Sequence, residues 1–166
     1  MVSRLFIPRN ISEYIRESGK KEAKKGREAI GMLFGLYNEI EDSIMTSQIY
    51  SSPPKIGHPS LGARLYDRLI LHFISSAFRD TGSKIALHAA KLMKEGKVPA
   101  VVYYHTHRKK YVGIGSVWSD SDLSVNSEDF ENRSGLKSAQ LLHTVDTNEF
   151  FGINSKREYI PVIILD

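Results

Sequence analysis

Glu28-Ala-Ile-Gly-Met-Leu-Phe-Gly-Leu-Tyr37 is the stretch on which the fold turns. It is a continuous apolar run just past Gly26, a glycine placed to stop the preceding helix. A second helix has no room to begin there, so the run reads as a buried strand. Upstream, Ile11, Tyr14 and Ile15 supply one buried side of a helix that Asn10 caps and Glu13 completes as a capping box, running to about Lys25. Downstream, Asn38-Glu39 turns the chain back into a partner strand, Ile40 to Tyr50.

Beyond that hairpin, Ser51 to Ser60 reads as a loop, with Pro53, Pro54, Gly57 and Pro59. Leu65, Leu69, Phe73 and Ile74 mark a helix from Leu61 to about Phe78; Asp80 to Ser83 breaks it, and Ser83 caps a second piece ending at Gly96. Ala100 to Tyr104 is a short strand running into His105, and Tyr111 to Val117 reads as another. Residues 119–137 are polar and begin a helix or ordered loop. Strands at Ser138 to Val145, Glu149 to Asn154 and Tyr159 to Leu165 close the chain, the first two of them forming a hairpin. This alternation predicts a mixed α/β or α+β layered structure.

The 166 residues predict a single domain spanning 1–166, and 41% hydrophobic with 25% charged residues is an ordinary globular balance. A net charge of +4 is too small to imply nucleic acid. The chain has no cysteine, which excludes disulfides and thiolate-bound zinc. No apolar run approaches the ~20 residues of a membrane span. The opening MVSRLFIPRN has only three consecutive apolar residues, unlike a secretory signal, so a cytoplasmic protein is expected.

Three short patterns carry chemistry. His105-Thr-His107 follows the strand at Ala100; in extended chain, residues i and i+2 share a face, so both imidazoles can converge on one point. Zinc accepts imidazole nitrogen at ~2.0–2.1 Å, although a chain with this many histidines holds such a pair by chance roughly one time in five. Ser119-Asp-Ser-Asp122 places a helix-capping serine before a carboxylate that can supply a third ligand. Three protein ligands leave the fourth zinc position for water, the arrangement of a catalytic rather than a structural site. Glu28 lies at the mouth of the first strand, where a carboxylate off the metal can take a proton from water. Each pattern alone has an ordinary explanation: solvated strand-end histidines, a cap, an exposed glutamate beside Arg27. Gly31 and Gly35 inside the strand point to another backbone or a ligand approaching closely.

Taken together, Glu28-x-x-Gly31-x-Leu33-x-Gly35, His105-x-His107 and Ser119-x-x-Asp122 resemble the JAMM (MPN+) metalloprotease family over most of the chain. The resemblance implies a mixed β-sheet flanked by helices in a cytidine-deaminase-like arrangement. It implies one zinc ion held by His105, His107 and Asp122, Glu28 as general base and then acid toward the leaving amine, and Ser119 as a hydrogen-bond donor to the tetrahedral oxyanion or the water. The implied activity is hydrolysis of the amide or isopeptide bond after the C-terminal tail of a ubiquitin-like protein or its conjugate. In a bacterial or archaeal source, partners resembling the E1 and E2 enzymes of conjugation or antiphage-defence systems would accompany it. The chain departs from the family in having Arg108 where proline usually follows the second histidine, Trp118 where proline often precedes the serine, and a long spacer, Arg108 to Trp118. Lys109, Lys110, Tyr111 and Trp118 read either as substrate wall or as a solvated hairpin with one buried aromatic.

Two alternatives stay open: a noncatalytic MPN scaffold, and a DNA-repair-associated protein of the same fold. The second rests only on Lys20-Lys-Glu-Ala-Lys-Lys-Gly-Arg27, which more commonly is a solvated helix end favoured by the dipole. His58, His72, His88 and His143 lack ligand spacing and read as core or surface histidines; Glu128-Asp-Phe-Glu131 reads as a contact for a basic partner tail or, more commonly, as solvent-facing.

Overall fold

A computed structural model describes residues 1–56, 83–108, 118 and 127–166. In chain order these form β1 (Arg4–Pro8), α1 (Arg9–Ala23), β2 (Arg27–Asn38), β3 (Ser43–Ile56), α2 (residues 83–94), β4 (Val98–His107), α3 (Ser127–Ser134), β5 (Lys137–Thr144), β6 (Glu149–Asn154), β7 (Tyr159–Ile160) and β8 (Val162–Leu165). The strands make one eight-stranded mixed sheet in the order β7-β6-β5-β4-β2-β3-β1-β8.

The apolar run at Glu28 is β2, paired antiparallel with β3 on one side and with β4 on the other. Its alternation sorts the core. Leu33 joins Ile44, Ala100, Val102, Tyr104 and Leu141 on the face that buries Ile11 and Ile15 of α1. Met32 and Phe34 face the other way, with Val101, Ile85 and Ala89 of α2, and Phe130 of α3. A β-strand with both faces covered needs no polar side, which is why its sequence shows none.

Gly31 and Gly35 are explained by the protein's own atoms. A Cβ at Gly31 would press on the Tyr50 carbonyl and come within 2.6 Å of the Tyr104 ring, and one at Gly35 would overlap the backbone at Met45. The close approach is therefore backbone and ring within the sheet, not a ligand.

Several expected boundaries are corrected. Asn10 does not cap α1: Pro8 is the N-cap residue, no side chain caps the helix, and the box with Glu13 does not form. The chain passes directly from β1 into the helix, and proline's fixed φ suits that junction. Ile11, Ile15 and Gly19 make the buried seam at intervals of four, so Tyr14, off that stripe, is 41% exposed. α1 ends at Ala23, and Gly26 takes φ +68° to redirect the chain into β2. β1 had no forecast from the sequence because its five residues, RLFIP, are too short to show a period.

β3 runs to Ile56, so Ser51–Ile56 is strand rather than loop, and the turn before it ends at Asp42. Pro53 and Pro54 coincide with a slip in the β2–β3 register between Glu28 and Ile30. β4 extends past Tyr104, so His105 and His107 belong to the strand instead of following it. The expected strand Tyr159 to Leu165 is split at Pro161: β7 pairs with β6, and β8 pairs parallel with β1. These are the opposite edges of the sheet, which if flat would lie ~34 Å apart at ~4.8 Å per strand. One intervening residue forces the sheet to curl until its edges meet, and the Pro161 carbonyl accepts the Leu5 N–H at 2.9 Å. α1 packs on one face of the sheet. The hairpin of β5 and β6 stands as expected. The forecasts for the helix from Leu61 and the strand from Tyr111 lie outside the described residues, and no helix among the described residues is long and apolar enough to cross a membrane.

Candidate metal centre

β4 lies between β2 and β5, paired antiparallel with the first and parallel with the second. Its residues alternate faces: Ala100, Val102 and Tyr104 belong to the α1 side, while Val101 packs on the opposite side. His105 and His107 continue the Val101 and Tyr103 series, so both imidazoles project away from α1. Their ring centroids are 4.8 Å apart at 65°. His107 is buried, 3% exposed.

Glu28 reaches this pair from β2. Ile30 is registered with His105, and two residues further back Glu28 presents Oε1 at 3.8 Å from His107 Nε2. Its side chain is only 16% exposed. The neighbouring Arg27 guanidinium is paired with Glu22 at 2.7 Å. A glutamate drawn into a half-buried position beside a histidine differs from the exposed residue that its neighbourhood in sequence suggested.

Trp118 is buried at 4% exposure among Leu142, Ile153 and Phe151, and its ring meets the His105 ring edge-on at 5.7 Å. It is buried, as one of the two readings of the spacer expected of an aromatic there. It packs beside His105, restricting that ring. No short sequence signal could have placed it there, since the contact joins β4, β5 and a separate segment.

Asp122 and Ser119 lie outside the described residues, as do Lys109, Lys110 and Tyr111. Among the described residues no group of three or more His, Cys, Asp or Glu side chains is gathered as a metal shell. The donors that are described fit zinc in kind: two imidazoles on one face, with a carboxylate close by and no thiolate to compete. His105 and His107 would hold the ion, with Asp122 as the third ligand implied by the JAMM resemblance.

Of the other histidines, His88 stacks on Phe34 at 4.6 Å, while His58 and His72 are outside the described residues. The acidic stretch is partly structural, which corrects the solvent-facing expectation. Glu131 accepts from the Ser138 N–H at 2.7 Å, and Phe130 meets Tyr103 edge-on.

His143 sits on the α1 side, fully buried. Its Nε2 contacts Asn148 Oδ1 at 3.2 Å and its ring stacks on Phe150. Burial pushes its pKa below the usual 6.5; Arg16 and Lys20 add to the shift, and the Asn148 bond opposes it. An unfolded chain therefore takes up this proton at a higher pH than the folded one. The stabilising contribution is complete above about pH 6.5 and is lost as pH falls through the lowered folded value. Thermal unfolding followed over that acid range should show a shallower pH dependence in His143→Gln than in the wild type; parallel profiles would count against this assignment.

No family model and no curated protein sequence matches the chain. Among solved structures the chain is similar to one described as "JAMM: A Metalloprotease-like Zinc Site in the Proteasome and Signalosome", at 13% identity and TM-score 0.42, covering 100% of both chains. It is likewise similar to a JAB1/MPN domain protein from Archaeoglobus fulgidus, at 14% identity and TM-score 0.44, covering 98% of this chain and 99% of that one.

Proposed function

We propose that the protein is a zinc-dependent isopeptidase or peptidase that cuts the amide or isopeptide bond following the C-terminal tail of a ubiquitin-like protein. The observation that carries this reading is the Glu28 carboxylate, 3.8 Å from His107 Nε2 and close beside the paired imidazoles. A carboxylate so placed has a base's chemistry at hand without serving as a ligand. Zinc would supply Lewis acidity there, polarising the scissile carbonyl and acidifying a water. Glu28 takes the proton of the attacking water and returns it to the leaving nitrogen, so bond cleavage is completed without a covalent enzyme intermediate. Ser119 donates to the oxyanion, a contribution of about 3 kcal/mol for one well-aligned donor.

The substrate class draws support from the sheet. Past Met45, the pairings of β3 among the described residues are with β2 alone, and this stretch runs alongside Glu28, which is registered with Lys55. An extended tail adding to that strand would run parallel to β2 with β3 between them, about 10 Å from the Glu28 backbone at ~4.8 Å per strand, and would bring its end to the Glu28 end of the sheet. Such an enzyme would work in the cytoplasm, beside partners resembling the E1 and E2 enzymes of conjugation.

The test is incubation of zinc-loaded protein with fusions of candidate ubiquitin-like modifiers, the cut mapped by mass spectrometry. Cleavage directly after the modifier's last residue is expected. A wild type that binds no zinc and leaves every fusion intact would favour the noncatalytic scaffold.

A further inference from the structure

The residue between the two histidines is tied to the residue after Glu28. The Ala29 N–H donates to Thr106 Oγ1 at 2.9 Å, and both residues are buried, at 5% and 1% exposure. The regular β2–β4 register runs from Tyr37 opposite Val98 to Ile30 opposite His105 and goes no further. On the other side, β2 advances from Glu28 to Ile30 while β3 advances from Ser52 to Lys55, so β3 uses one residue more. Two prolines, Pro53 and Pro54, stand there against the single residue Ala29, and neither has an N–H for a ladder. Ala29 therefore sits where the ladder is irregular on both sides, and a side-chain hydroxyl takes up its N–H.

We propose that Thr106 is a positioning residue for Glu28. Its hydroxyl holds the backbone of Ala29, and thereby sets where the preceding carboxylate points relative to His107. Its methyl group is braced from behind: a Cβ at Gly19 of α1 would lie 3.1 Å from Thr106 Cγ2, so the bare helix backbone rests against it. The same residue thus fixes β4 between the imidazoles and β2 beside the base. Its catalytic consequence rests on the hydrolase reading; the positioning itself does not.

Thr106→Val keeps the branched shape and removes the acceptor, whereas Thr106→Ser keeps the acceptor and removes the methyl. In the zinc-loaded protein, amide hydrogen exchange at Ala29 should quicken roughly tenfold in Thr106→Val and stay near wild type in Thr106→Ser. Crystal structures should show a changed Glu28–His107 separation in the valine variant alone. On a cleavable modifier fusion, kcat should fall about tenfold or more with KM and zinc content kept, and serine should restore it. If the valine variant does not fold, Thr106→Ala is compared with Thr106→Ser in its place. Unchanged Ala29 exchange, an unmoved Glu28, or a serine variant that behaves like valine would overturn the proposal, as would full kcat in an active valine variant. If the wild type cleaves nothing, the hydrolase reading fails by itself, and the exchange and crystallographic results still decide whether Thr106 positions Glu28.

Discussion

Glu28→Gln should keep its zinc and lose hydrolysis by a factor of about 10²–10⁴. The substitution preserves size and hydrogen-bonding reach, so the half-buried pocket beside His107 is still filled. What disappears is the capacity to accept a proton, because an amide does not act as a base near neutral pH. The zinc should stay because the ligands assigned to it are His105, His107 and Asp122, and Glu28 is not among them. Elemental analysis and steady-state rates on a modifier fusion, measured on the same preparation, separate the two effects. Equal rates in variant and wild type would remove Glu28 from the mechanism, and loss of metal would make it a ligand.

The second large effect concerns the ligands. His105→Ala and His107→Ala should each reduce zinc from about one ion per chain to a small fraction, because two protein ligands rarely hold zinc in competition with water. Asp122→Ala should weaken binding as well. His107 carries an extra cost: it is 3% exposed, so truncation opens a cavity beside Glu28 and leaves that carboxylate with a changed neighbour. Its variant should therefore also unfold at lower temperature than His105→Ala. Zinc content unaltered by either histidine substitution would contradict the assignment.

Much of this arrangement is written locally. The apolar run of β2 could be read because a strand covered on both faces is apolar on both faces, and the hairpin of β5 and β6 because polar turn residues separate two compact patterns. The shared face of His105 and His107 follows from the two-residue period of extended chain. What stayed hidden is nonlocal. β1 is too short to show a period, and its place beside β3 and β8 depends on how the sheet curls. The break at Pro161 carries a local sign, since proline cannot continue a ladder, but nothing nearby says that the two halves go to opposite edges. Asn10 and Glu13 spell a capping box that the direct passage from β1 into α1 makes unnecessary. Thr106 gave no signal at all: its importance lies in a bond to Ala29, 77 residues away in the chain. The same holds for Trp118, which meets His105 only once the sheet is assembled.

On the proposed mechanism, the two imidazoles on one face of β4 bind a single zinc ion overlooked by Glu28. Diffraction from zinc-loaded crystals, recorded on either side of the zinc absorption edge, tests it most directly. One anomalous peak should lie about 2.0–2.1 Å from a ring nitrogen of each of His105 and His107 and about 2.0–2.2 Å from an Asp122 oxygen, with Glu28 facing the remaining position. A peak at other residues, or Glu28 turned away from that position, would contradict it.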